Sequence, residues 1–254
     1  MAALPLNDDY PVRRAPVVAY TLIAVNVLVY LASPLAMTAV WYPADLADRF
    51  CAIDGYFMRW GAVPDEMLGR TDLAPPMTPE CGAIGGKSVG LSVFSAMFVH
   101  GGAAHLLGNM VYLFVFGPVV EDRIGRLRFL VLYLVTGLAA AYGHALAESD
   151  GVVPMVGASG AISGVLGAYL VVQFRSKVTT LVFGAMPMRL PGWALVGSYF
   201  ALQYLLYVTT STTPGSGSNV AYAAHVYGFL AGVAAGLVVY RLRWRSGTRL
   251  SDVY

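Results

Sequence analysis

Residues 154–174 read PMVGASGAISGVLGAYLVVQF. The stretch carries no charge and is long enough, as a helix, to span most of a bilayer. Its start nevertheless holds Ser159 among small residues: Gly157, Ala158 and Gly160. A continuous apolar run, rather than period-two alternation, selects helix over strand. Inside hydrocarbon every backbone polar group must pair internally, so only helix bundles or closed barrels cross. The hydroxyl at the head of this run poses the functional question.

The rest of the chain has the same character. Of 254 residues, 57% are hydrophobic and 12% charged, and the mean hydropathy is +0.64. Soluble domains carry about 25% charged residues. The composition predicts an all-α polytopic membrane protein with spans near 16–36, 97–117, 127–147, 157–174, 192–209 and 219–240. The first is too long for the apolar core of a signal peptide and reads as a span. The tails are short, so residues 1–254 read as a single membrane domain. No nucleic-acid motif is present, and a net charge of +2 says little about partners.

Basic residues set the expected orientation. Arg13 and Arg14 precede the first span. Arg123, Arg126 and Arg128 lie between the second and third, and Arg175, Lys177 and Arg189 between the fourth and fifth. Arg241, Arg243, Arg245 and Arg249 follow the last. Twelve of the 16 Lys and Arg thus fall on one side, and both termini are expected in the cytoplasm. The long loop of residues 37–96 is then extracytoplasmic, and its Arg49, Arg59, Arg70 and Lys87 are diluted by seven acids. The loop holds Cys51 and Cys81. That compartment permits a disulfide, and two unrelated thiols are the alternative.

Polar side chains in spans are costly, and they are functional or satisfied by a neighbouring helix. Serine alone is cheap, because it can bond back to its own helix. His105, Asn109 and His225 are not cheap. Ser159 lies 16 residues before Arg175, His225 16 before Arg241, and His105 16 before Glu121. Helical rise puts each roughly 24 Å above the inner boundary of a core about 30 Å thick, so all three sit at one level below the outer surface. Asn109 falls on the face of His105, one turn deeper.

Small residues supply the lateral placement. Ser159, Gly160, Ser163, Gly164 and Gly167 form one stripe, and His225, Gly228, Gly232 and Gly236 another. Such faces let helix backbones approach closely. If Gly160 and Gly164 pack on Gly228 and Gly232, Ser159 and His225 meet at the top of the seam. A serine hydroxyl is a weak nucleophile and needs an adjacent base, for which imidazole is suited. No Asp or Glu occupies the outer half of a span, so a Ser–His dyad is expected rather than a carboxylate triad. Free amides at the helix start, with His105 and Asn109, are candidate oxyanion donors. Other chemistries fit less well. The sequence GASGA is not the G-x-S-x-G elbow. His100 and His105, five apart, are badly placed for one metal on a regular helix, and the two cysteines lack zinc spacing. His144 falls at a span end and is given no role.

These residues resemble the rhomboid family of intramembrane serine proteases. FVHGGAAHLLGNMVYLFVFG is similar to the family's H-x4-H-x3-N segment. GPVVEDRIG is similar to its G-x3-E-x3-G element (Gly117, Glu121, Gly125), GASGAISG to its serine motif, and AAHVYGFLAG to A-H-x2-G-x3-G. The resemblance covers about residues 16–243 and implies a six-helix rhomboid-like bundle. It implies Ser159 as nucleophile, His225 as base, His105, Asn109 and the Ser159 backbone as oxyanion site, and His100 lining a water-accessible cavity. It implies hydrolysis of peptide bonds in or near transmembrane helices of single-span substrates in the lipid bilayer, with no metal or organic cofactor. The 37–96 loop would be the membrane-embedded first loop and the fifth span a substrate gate. The compact form is expected of a bacterial cell membrane, with the site open to the extracytoplasmic side; the oligomeric state stays open. Two departures stand out. Some members carry an aromatic residue four after the serine, where this chain has Ser163, so the base would be oriented by packing, Tyr222 or Tyr227. Some have Trp-Arg in the first loop, where this chain has Arg59-Trp60. Two other classes compete: a transporter or channel lined by His and Asn, and a non-catalytic rhomboid-like chaperone of membrane helices.

Overall fold

The structure, a computed structural model, describes residues 3–41, 46–70, 81, 86–182, 184–212 and 220–245. Arg249 and parts of the long loop fall outside these. The chain is mostly helical. In order it runs β1 (Ala3–Asp8), α1 (Val17–Leu31), α2 (Pro34–Trp41), α3 (Leu46–Trp60), α4 (Pro64–Met67), α5 (Val89–Ser95), α6 (Ala103–Ile124), α7 (Arg126–Ala147), α8 (Ser159–Val172), β2 (Lys177–Val182), β3 (Met186–Pro191), α9 (Gly192–Thr212) and α10 (Tyr222–Arg245). Among the described residues, three stretches are long and apolar enough to cross a membrane: Ala103–Ile124, Arg126–Ala147 and Tyr222–Leu242. Val17–Leu31 and Ser159–Val172 are shorter apolar helices. The helix carrying His105 begins at Ala103, not at residue 97, because Val99 to Gly102 form a non-helical turn before it.

The central element is α8, packed by α6, α7, α9 and α10. Every residue from Gly160 to Tyr169 is buried. Fourteen residues give α8 a length of about 21 Å, short of a bilayer core. Ser159 therefore starts a helix shorter than α6, α7 and α10. The seam between α8 and α10 is built on missing side chains. A Cβ on Gly228 would land on the Gly160 carbonyl, and one on Gly232 on the Gly164 carbonyl. Beside this seam α8 meets α7, where a Cβ on Gly160 would strike Ala140 and one on Gly164 would strike Thr136. The small-residue stripe thus faces both α7 and α10.

Buried polar groups hold the opposite end. Pro16 precedes α1 and offers no capping side chain. The buried Glu121 of α6 fills that need, accepting from the amides of Val18 at 3.1 Å and Ala19 at 2.7 Å. A carboxylate at a helix N-terminus also meets the positive end of its dipole. Arg123, assigned to a loop by its charge, lies inside α6 instead. It is buried, donates to Gln173 at 2.6 Å and stacks on Tyr10.

A three-stranded antiparallel sheet of order β1-β2-β3 covers this end. It was not expected from the sequence. Asp8 pins β1 to α8 by accepting the Tyr169 hydroxyl at 2.5 Å. Burial pushes the Asp8 carboxyl above its ordinary pKa, while the Tyr169 and Tyr10 hydrogen bonds pull it down. At the other end, Cys51 and Cys81 form a disulfide. Ala62 pairs with Met155, and a buried Glu66–Lys87 ion pair joins α4 to the segment before α5. The first and last of these contacts brace the long loop internally, and the Ala62–Met155 pair ties it to the entrance of α8.

Candidate active site

Gly157 sets the geometry at the start of α8. Its φ is +126°, a region an L side chain rarely adopts. Its N–H donates to the Ala96 carbonyl at 2.8 Å. A Cβ here would lie 2.8 Å from His105 Nε2 and 3.6 Å from Ser159 Oγ. Those two atoms therefore border one small space. Two residues on, the helix begins. Its first intrahelical bond runs from the Ile162 amide to the Ala158 carbonyl, so the amides of Ser159, Gly160 and Ala161 have no partner within α8.

The close packing of α8 on α10 brings Ser159 Oγ to 2.7 Å from His225 Nε2. Ser159 is partly exposed and His225 is 9% exposed, so the pair sits at the edge of the bundle core. The other ring nitrogen, Nδ1, lies 2.7 Å from Gln203 Oε1 on α9. An amide oxygen only accepts, so Nδ1 carries the proton in this arrangement. Nε2 then presents its lone pair to the serine hydroxyl, the arrangement a general base needs.

His105 has the complementary tautomer. Its Nδ1 accepts from the Gly101 amide at 3.4 Å, which leaves the proton of a neutral ring on Nε2. That N–H faces the space beside Gly157 and Ser159. Asn109 is buried, and its Nδ2 donates to the His105 carbonyl at 3.1 Å. A side-chain amide carries two N–H groups, so one donor is left over. His100 is 1% exposed. Its Nδ1 lies 3.2 Å from the Phe98 carbonyl, its Nε2 is buried without a hydrogen-bond partner among the described residues, and its ring meets that of His105 edge-on at 5.2 Å. His144 lies on α7 with Glu148 as its neighbour at 3.8 Å. No cluster of three or more metal-ligating side chains occurs among the described residues.

Neither tyrosine anticipated beside the base is bonded to it. Tyr222 is edge-on to His225 at 6.3 Å between ring centres, and Tyr227 packs over Gly143. Gln203 makes the bond instead, and sequence reasoning missed it. Its one signal was that it is the sole amide within residues 192–209. Ser163, in place of an aromatic residue, hydrogen-bonds the Tyr199 hydroxyl at 2.9 Å and so ties α8 to α9. In the long loop, the Arg59 guanidinium lies over the Trp60 ring at 5.6 Å.

Residues 88–242 match the family model described as the Rhomboid domain. Among similar proteins, RHOMBOID-like protein 5 of Arabidopsis thaliana is 31% identical over 58% of this chain and 43% of its own length. Putative rhomboid protease YdcA of Bacillus subtilis is 30% identical over 55% of this chain and 62% of its own. Rhomboid-related protein 2 of Mus musculus is 31% identical over 58% of this chain and 47% of its own. The chain thus spans about half the length of the relatives it matches.

Proposed function

The chain belongs to the rhomboid family, and from that premise we propose that it is an intramembrane serine endopeptidase. The reading is that it cleaves peptide bonds in or near transmembrane helices of single-span membrane proteins. The observation that carries it is the 2.7 Å approach of Ser159 Oγ to His225 Nε2, in the tautomer that accepts a proton.

In this reading Ser159 Oγ attacks the scissile carbonyl carbon while His225 Nε2 takes the hydroxyl proton. The carbonyl oxygen gains negative charge. It is met by the Ser159 amide, His105 Nε2–H and the second N–H of Asn109. His225 then gives its proton to the departing amine, leaving an ester on Ser159. Water enters, loses a proton to His225 and attacks the ester. The second intermediate collapses with return of the proton to Ser159 and release of the new carboxyl terminus. The short α8 supports this chemistry by starting the serine helix below the outer surface, within reach of water. A substrate helix hides its carbonyls in i→i+4 bonds, so segments weakened by Gly or Pro are the expected targets.

The topology belongs to the same proposal. The helices of the six expected spans form one membrane domain with a core near 16–243 and with α9 the fifth span. Both termini and the three-stranded sheet face the cytoplasm, and the site opens to the extracytoplasmic side. The concentration of Arg and Lys at the sheet end supports that orientation. The compact form suits a bacterial cell membrane, and the bilayer itself is the working solvent.

The test is cleavage of a generic single-span substrate in liposomes. Wild type is expected to cleave, while Ser159→Ala and His225→Ala, folded by their melting curves, are expected not to. Cleavage surviving Ser159→Ala would falsify the serine-protease reading. Binding of helical segments without cleavage by wild type would favour the chaperone class instead.

A further inference from the structure

We infer that Gln203 is a positioning residue for catalysis: its side-chain oxygen holds His225 in the one neutral tautomer that can accept the Ser159 proton. The inference rests on the dyad reading and deepens it. His225 Nδ1 lies 2.7 Å from Gln203 Oε1, and Nε2 lies 2.7 Å from Ser159 Oγ. The three side chains come from α9, α10 and α8, so they form a chain of hydrogen bonds across three helices.

The reason an orienting group is needed is chemical. A neutral imidazole carries its proton on either nitrogen. With the proton on Nε2, His225 can only donate to Ser159 Oγ, and the serine has no base. The hydrogen bond made by the other nitrogen decides between the two. In serine hydrolases with a triad, a buried carboxylate does this. No carboxylate reaches His225 among the hydrogen bonds and ion pairs of the described residues. The oxygen of a neutral amide does the same orienting work without placing a buried charge in hydrocarbon, where a carboxylate is expensive.

The position of Gln203 adds a structural condition. The buried residues of α9 are Gly192, Leu195 and Val196, all at its sheet end. Towards the other end, α9 reaches the core through the Ser163–Tyr199 hydrogen bond, the Phe200–Phe229 stack at 4.4 Å and, furthest along, the Gln203–His225 bond. His225 is therefore a competent base only while α9 is seated on α10. The two ends of the Gln203 amide differ, the oxygen accepting and the nitrogen donating, so the amide must present its oxygen to Nδ1. If the amide turned over, its N–H would face Nδ1 and drive the proton to Nε2, which switches the base off.

The test uses the full chain in lipid nanodiscs with 15N-labelled histidine. The chain has four histidines, and loss of a resonance in His225→Ala assigns the relevant one. Wild type is expected to show a protonated Nδ1 and an unprotonated Nε2. Gln203→Leu, similar in size and apolar, is expected to lose that preference. It is expected to lower kcat about 10- to 100-fold with KM held within about twofold, below the roughly 10,000-fold loss when the wrong tautomer is enforced. Gln203→Glu keeps an acceptor and is expected to restore both the tautomer and most of kcat. An unchanged His225 tautomer in Gln203→Leu would overturn the inference, as would equal loss of kcat in Gln203→Leu and Gln203→Glu. If wild type does not cleave, the dyad reading fails, and the histidine spectra still decide whether Gln203 sets the tautomer.

Discussion

The space around Ser159 is set by what its neighbours lack. Gly157 gives the chain a backbone angle that turns it into α8 and leaves room for the His105 ring. Gly157→Ala would strain that angle by about 1–3 kcal/mol and push a methyl against His105. The expected outcome is a drop in cleavage of tenfold or more, larger than the fall in melting temperature explains. Activity close to wild type would show that neither the turn nor the His105 ring position matters. At this scale much was legible in the sequence. Ser159 and His225 stood at the heads of two small-residue stripes, and a dense glycine pattern in a span has few uses besides close approach. Gln203 was not legible, because a lone polar residue on an apolar helix has no spacing relation to its partner. Its meaning depends on the rotation of α9, which packing sets. Nor could spacing say that Asn109 bonds its own helix at the His105 carbonyl.

Among the elements, the seam between α8 and α10 bears the closest packing. Gly232→Ala would place a methyl on the Gly164 carbonyl, and overpacking of this kind costs about 1–3 kcal/mol. A lower melting temperature and reduced cleavage are expected together, since separating the helices also separates Ser159 from His225. Gly197→Ala on α9 is the control, with no atom within 4 Å of the added methyl, and should melt at or slightly above wild type. Equal behaviour of the two variants would contradict close packing at the seam. The sheet yields a different prediction. The folded-state pKa of Asp8 is raised mainly by burial. Its contribution to stability is thus fully present below the unfolded carboxylate value and lost as pH rises through the folded one. Asp8→Asn should therefore gain in melting temperature relative to wild type on going from pH 4 to pH 7. A difference that stays constant or reverses would refute the assignment. The strands themselves were hidden from the sequence. Their six-residue segments, ALPLND, KVTTLV and MPMRLP, are short, and the first and third carry prolines. The pairing of β1 with β2 joins residues 170 (Asp8 with Val178) to 179 (Ala3 with Val182) positions apart, which local pattern does not encode.

Across the whole molecule, the long loop and the bundle meet at the head of α8. The Cys51–Cys81 disulfide closes a separation of 30 residues. Restricting the unfolded chain by a loop of that size is worth about 3–4 kcal/mol. Cys51→Ser with Cys81→Ser should lower the melting temperature while leaving serine labelling intact below it, since neither sulfur touches the dyad. Loss of labelling in folded protein would mean that the loop shapes the site directly. The sequence allowed this bridge without deciding it, because reach between two cysteines depends on the fold of the loop. The overall helical plan was legible because hydrocarbon enforces it: long apolar runs have no other way to satisfy their backbone. Where the helices break was less so. Arg123 reads as a loop charge until Gln173 and Tyr10 are seen to receive it inside α6. The central claim is that Ser159 is a nucleophile made reactive by His225. Its most direct measurement is labelling by a fluorophosphonate in liposomes, with the modified residue located by peptide mass. The expected result is an adduct on Ser159 in wild type, none in Ser159→Ala, and a rate at least a hundredfold slower in His225→Ala, about the size of a general-base contribution. An adduct on another serine, or labelling of Ser159 at an unchanged rate in His225→Ala, would contradict it.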